Sequence, residues 1–189
     1  DLLRGIVKDP AMLGYFDNDT NSKTHPNENF ARELLELYSL GVGNYTEVDV
    51  RQAARALTGF QGESGSFVFD EELHDFGEKT ILGRTGTFDG SDLVEILLDQ
   101  EACARHVAKR LLTWLEGREP GESRLRGYAK LLRELDYELT PWLRRLVADP
   151  DFYRQEVIGT RVLGPVEFMV GASRRLGVQG QEPFLFYAA

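Results

Sequence analysis

The sequence predicts a mainly α protein, a multi-helix globular domain with one small β-hairpin. Three observations lead there. Apolar residues recur at helical spacing through most of the chain, and Gly, Pro and cap residues punctuate these runs. Only two stretches, Phe67-Val68-Phe69 and Lys79-Thr80-Ile81-Leu82, read as strands. The 189 residues are of single-domain size and can bury a substantial core. We expect one helical domain over 1–178 and a tail over 179–189. The chain begins at Asp1 rather than at methionine.

Leu2 to Lys8 reads as the end of a helix, and Asp9-Pro10 starts a second short one. Tyr15 to His25 is a polar loop. Its Asp17-Asn18-Asp19-Thr20-Asn21 run resembles a calcium loop in composition, but the glycine an EF-hand needs at its sixth position is replaced by Ser22. A solvated loop of turn formers is the preferred reading.

From Asn27 to Leu40 a helical wheel gathers Phe30, Ala31, Leu34, Leu35, Leu37 and Tyr38 on one arc. Glu28, Asn29, Arg32, Glu33, Glu36 and Ser39 take the other. Pro26 holds back the start of this helix, Asn27 or Asn29 can cap it, and Gly41 ends it. The polar arc has two readings. It is a solvated face with a Glu28–Arg32 pair, or Asn29, Glu33 and Glu36 converge on a cation or substrate.

Thr46 and Asp49 form a capping-box pattern ahead of Val50, Ala53, Leu57 and Phe60, so a second central helix ends at Thr58-Gly59. Its small Ala53 and Ala54 suit a close crossing with the first. Gln61 to Ser66 is a glycine-rich connection. The two strand candidates then enclose Glu71, Glu72, His74, Asp75 and Gly77 as one long-looped hairpin.

Further helices are expected from Asp89 or Ser91 onward, from Gln100 or Glu101 to Leu115, from Ser123 to Leu135, from Trp142 to Ala148, and from Pro165 to Leu176. In the last, Phe168, Met169, Ala172 and Leu176 are spaced for a core. His106 is expected at an edge, and Phe184-Leu185-Phe186-Tyr187 is apolar enough to pack on something.

Pro26-Asn27-Glu28-Asn29-Phe30-Ala31-Arg32-Glu33-Leu34-Leu35 opens a first block, which runs on through Tyr45-Thr46-Glu47-Val48-Asp49-Val50 and Ala54-Arg55-Ala56-Leu57-Thr58-Gly59-Phe60. His74-Asp75-Phe76-Gly77-Glu78-Lys79 and Pro165-Val166-Glu167-Phe168 follow. Together these blocks resemble the bacterial family catalogued as domain of unknown function 1800. The resemblance implies a longer parent protein and carries no assigned activity.

Composition excludes several classes. Thirty-one acidic against 22 basic residues leave a net charge of −9, against nucleic-acid binding. No apolar run is long enough to span a membrane. The single cysteine, Cys103, excludes an internal disulfide and a multi-cysteine zinc site, and reads as a small buried hydrophobe. Neither a nucleotide loop nor a serine-hydrolase elbow is present.

Chemistry therefore centres on the hairpin loop. One hypothesis is a metal-assisted, hydrolase-like site. His74 and Asp75 serve as ligands or as an acid/base pair, Glu33 and Glu36 add ligands for a divalent metal, and Lys79 and Arg32 face an anionic group. Gly77 gives the loop an unusual backbone. The His-Asp dipeptide of metal-dependent phosphohydrolases lies on a helix, whereas Phe76-Gly77 places this one in a loop. The alternative is a structural or protein-interaction module, associated with a bacterial envelope, in which the same residues form a buried polar network and a partner protein is bound.

Overall fold

The computed structural model describes residues 2–63 and 65–177. Among them are nine α-helices and two small antiparallel strand pairs. The expected tail over 179–189, with Phe184-Leu185-Phe186-Tyr187, lies outside the described residues.

Helices α1 (Leu2–Ile6) and α2 (Pro10–Tyr15) meet at Asp9, whose Oδ1 accepts from the Ala11 and Met12 amides at 2.9 and 3.1 Å. Helix α3 (Asn29–Glu33) is short because the chain continues as a π-helix over Leu34–Ser39. In the π segment the Leu40 amide reaches back five residues to the Leu35 carbonyl at 2.8 Å. One extra residue per turn rotates everything after it by about 100° relative to an α-helix. Hence the wheel holds for Phe30, Ala31, Leu34 and Leu35, which are buried, and for Tyr38, which packs partly buried against them, but fails at Leu37 and Ser39. Leu37, expected inside, is 45% exposed, and Ser39, expected outside, is fully buried with Oγ on the Leu34 carbonyl at 2.7 Å.

Helix α4 (Glu47–Ala56) begins at the expected capping box, in which Thr46 Oγ1 accepts from the Asp49 amide and Asp49 Oδ2 accepts from that of Thr46. The other carboxylate oxygen of Asp49 accepts from the Leu82 amide at 2.8 Å, which ties the helix to the second hairpin.

The expected single hairpin is corrected to two. Strand β1 (Phe60–Glu63) pairs with β2 (Ser66–Phe69), and β3 (Lys79–Ile81) pairs with β4 (Arg84–Gly86). Leu82 and Gly83 both have positive φ, 49° and 80°, the conformation of a tight two-residue turn. Closing that turn costs less chain entropy than bridging from Phe69 to Lys79.

Helices α5 (Gly90–Asp99), α6 (Glu101–Glu116), α7 (Glu122–Glu134) and α8 (Leu139–Val147) lie close to their expected bounds. Two apolar clusters result. The first joins α1 to α5 with Phe60, Ile81 and Cys103; the second joins α6, α7 and α8 around Ala108, Leu112, Leu132 and Trp142. Helix α6 is the seam, since Cys103 faces one cluster and Ala104 the other.

Helix α9 (Pro165–Arg175) has no buried residue, so the expected core role of Phe168, Met169, Ala172 and Leu176 is corrected. Phe168 is 62% exposed. Periodicity identifies an apolar face but not what covers it.

Beneath the second cluster, Arg124 donates to Glu116 Oε1 and, at 2.7 Å, to Asp149 Oδ2. The Asp149 carboxylate also accepts from the Asp151 amide and the Tyr128 hydroxyl. The Asp151 amide leads these contacts in holding its pKa at about 2, below the ordinary 3.8. A depressed carboxylate stabilises the fold above its unfolded pKa and loses that contribution as pH falls through the folded value. Asp149→Asn should therefore melt below the parent at pH 7, with the gap closing between about pH 4 and pH 2 in pH-resolved thermal denaturation.

Candidate functional site

The chain leaving α4 turns sharply at Gly59, and the loop over 70–78 folds back against that turn. Asp70 begins it, its amide donating to the Gly59 carbonyl at 2.8 Å and its Oδ1 accepting from the Glu72 amide at the same distance. His74 follows and is buried. Its Nδ1 lies 2.7 Å from the Thr58 carbonyl, and because a carbonyl only accepts, Nδ1 carries the proton. The edges of the imidazole meet Phe69 and Phe76 at centroid distances of 5.1 and 4.6 Å.

Thr58 is the hub. Its hydroxyl donates to the Arg55 carbonyl at 2.7 Å and accepts from the Asp75 amide at 2.8 Å. Asp75 then meets Arg55, whose Nε donates to Oδ2 at 2.6 Å, while Oδ1 accepts from the Gly77 amide at 2.8 Å. The Arg55 bond is the leading cause that holds the Asp75 carboxyl below its ordinary pKa. Arg55 also donates to Gln52 and to the Glu78 carbonyl, closing the ring of contacts.

Lys79 is 1% exposed, and its Nζ donates to the carbonyls of Asp75 and, at 3.1 Å, Gly77. Burial lowers its pKa, and the Asp75 charge opposes that shift. Gly77 has no positive φ. Its necessity is spatial, since a Cβ there would lie 2.8 Å from both Arg55 Nη2 and Asp75 Oδ1.

The structure brings His74, Asp75 and Lys79 into one network but does not link the other expected site residues to it by any hydrogen bond or ion pair. Arg32 forms a bidentate pair with Glu47, both contacts 2.8 Å, and a third contact with Glu28. Glu36 accepts from the Tyr45 hydroxyl at 2.7 Å, and Glu33 is half-buried beside Arg32 in sequence. Among the described residues no three His, Cys, Asp or Glu side chains gather as a metal ion requires, so Glu33, Glu36, His74 and Asp75 do not form one ligand set.

Three participants were missed in the sequence. Arg55 is the partner of Asp75, and no local pattern marks it. Asn18 and Asn21, expected in a solvated loop, are buried. Asn18 Nδ2 donates to the carbonyls of Leu57 and Phe60 at 3.2 and 2.7 Å, and Asn21 Nδ2 to that of Ala54 at 2.9 Å. The sequence offers only two asparagines in a polar loop, whose amides can serve backbone carbonyls; the helix end that they serve lies more than thirty residues away.

Mass spectrometry after acylation of the native protein should find Lys8, Lys23, Lys109 and Lys130 modified and Lys79 protected until unfolding. Lys79 reacting at the pace of the exposed lysines would contradict its burial. Lys79→Met, which strands two carbonyls, should cost about 1–3 kcal/mol in denaturant unfolding.

No curated protein and no solved structure matches the chain. The model of the family described as "Protein of unknown function (DUF1800)" matches residues 1–187, and the chain belongs to that family.

Proposed function

We propose that this domain is a structural and protein-interaction module in which the His-Asp turn is a buried polar lock rather than a reaction centre. The observation that carries the reading is the employment of the turn's donors inside the protein. His74 Nδ1 serves a helix-terminal carbonyl, Asp75 is held by Arg55 and the Gly77 amide, and Lys79 is spent on two loop carbonyls. A catalytic lysine or carboxylate must reach its substrate, and these reach backbone and the Arg55 guanidinium. The exposed apolar side chains of α9, Val166, Phe168 and Met169, support the interaction half of the proposal.

One observation favours the metal-assisted, hydrolase-like reading. An imidazole donating Nδ1–H to a carbonyl is oriented as metal-bound histidines are, with Nε2 left as the ligand atom. Against it stands the lack of further ligand side chains among the described residues.

His74→Ala separates the two readings. Under the lock proposal it lowers stability by about 2 kcal/mol, or about 4–8 °C in melting temperature for a chain of this size. Elemental analysis of parent and variant should then agree. A stoichiometric transition metal present in the parent and lost from a variant that melts like the parent would overturn the proposal and restore the metal site.

A further inference from the structure

On the side of the molecule framed by α1, the π segment and α6 lies a groove of about 510 Å³, within the range of about 300–1,000 Å³ typical of small-molecule sites. Leu3, Ile6, Leu37, Val107 and Leu111 give it an apolar wall.

Two unusual pieces of backbone build this wall. The π-helix turns Leu37 outward into the groove, and π segments are rare and concentrate at functional sites. Its frayed carbonyl at Leu37 is held by His106, whose Nε2 donates across 3.1 Å. That ring fits only because Gly41, at φ 78°, has no Cβ; one would stand 2.6 Å from Nδ1. On the rim, Asp136 and Tyr137 are consecutive non-glycine residues with φ of 48° and 59°. They close α7, where the Tyr137 amide reaches back to the Leu132 carbonyl at 2.9 Å. Here they place Tyr137 in the lining, with its hydroxyl on the Leu98 carbonyl at 2.7 Å.

The polar groups at the mouth set the chemistry. Tyr137 and His106 spend their donors on carbonyls. Arg4 is gripped by Glu95 at 2.6 and 2.8 Å, the leading cause of its raised pKa, and Asp136 adds a weaker attraction. Arg110 remains, an exposed cation of the lining with no ion pair among the described residues. An apolar trough with one unanswered guanidinium at its mouth complements an alkyl chain ending in a carboxylate, which Arg grips with two parallel hydrogen bonds. We propose that the groove binds a single-chain carboxylate amphiphile, with the alkyl chain along Leu37 and Val107 and the carboxylate on Arg110. The net charge of −9 disfavours indiscriminate uptake of anions, so binding would report this site. The inference does not depend on the role of His74.

Calorimetric titration of the whole chain with decanoate and with 1-decanol, both below their aggregation limits, tests it. Decanoate should bind about tenfold more tightly than the alcohol, the worth of one charge-assisted contact. Arg110→Ala should remove that preference, and Leu37→Glu, a change at an exposed position, should abolish decanoate binding while leaving the melting temperature unchanged. Equal binding of acid and alcohol, no binding of either, or a preference that survives Arg110→Ala overturns the proposal. A dimer in light scattering that Leu37→Glu dissociates, without decanoate uptake, also overturns it and assigns the groove to a second copy of the chain.

Discussion

Helix α4 ends inside the protein, and its last carbonyls cannot turn to water. A buried carbonyl without a donor costs about 1–3 kcal/mol; the Ala54, Arg55 and Leu57 carbonyls here each accept a backbone amide and take a side-chain donor as well, while that of Thr58 relies on His74. The surrounding loops are arranged around that constraint. Asn21 serves Ala54, the Thr58 hydroxyl serves Arg55, Asn18 serves Leu57, and His74 serves Thr58. Donors from three separate stretches of chain therefore converge on one helix terminus. The polar loop after α2 and the His-Asp turn are two halves of a single clasp.

The same constraint explains why the turn resembles a reaction centre in sequence. A buried clasp needs strong donors, a counter-ion for Arg55 and a glycine that lets carboxylate and guanidinium close over the backbone. Histidine, aspartate, lysine and glycine are also the vocabulary of catalysis. What separates the two uses is direction: these groups point at main-chain atoms and at each other. Loss of His74 would leave the Thr58 carbonyl without its side-chain donor, and loss of Lys79 would leave the Asp75 and Gly77 carbonyls without theirs.

Away from the clasp, the groove carries two departures from regular backbone. The π segment and the left-handed Asp136-Tyr137 pair lie on its wall and rim, and each gives up regular geometry to present a side chain there. Helix α6 connects this wall to both apolar clusters, so the groove rests on the most densely supported element of the fold.

Much of the architecture was legible because it is local. The Thr46–Asp49 box, the Asp89 cap, the terminal Gly41 and the Gly-Pro breaks each depend on residues a few positions apart, and the apolar period then marks helices between them. The same local blocks carry the family. What sequence could not show depends on the third dimension. Strand partners were misassigned because a two-residue turn at Leu82-Gly83 competes with a longer loop on closure entropy. Leu37 and Ser39 exchanged sides because a π turn inserts a residue that no 3.6 period anticipates. Arg55 and Asp75, twenty residues apart, are paired only once α4 is laid beside the turn. Asn18 and Asn21 became buried only because the end of α4 lies above them. Local residue chemistry sets which side chains can cap, pair and pack; packing sets which of them meet, because desolvation of one helix end selects its donors from across the chain.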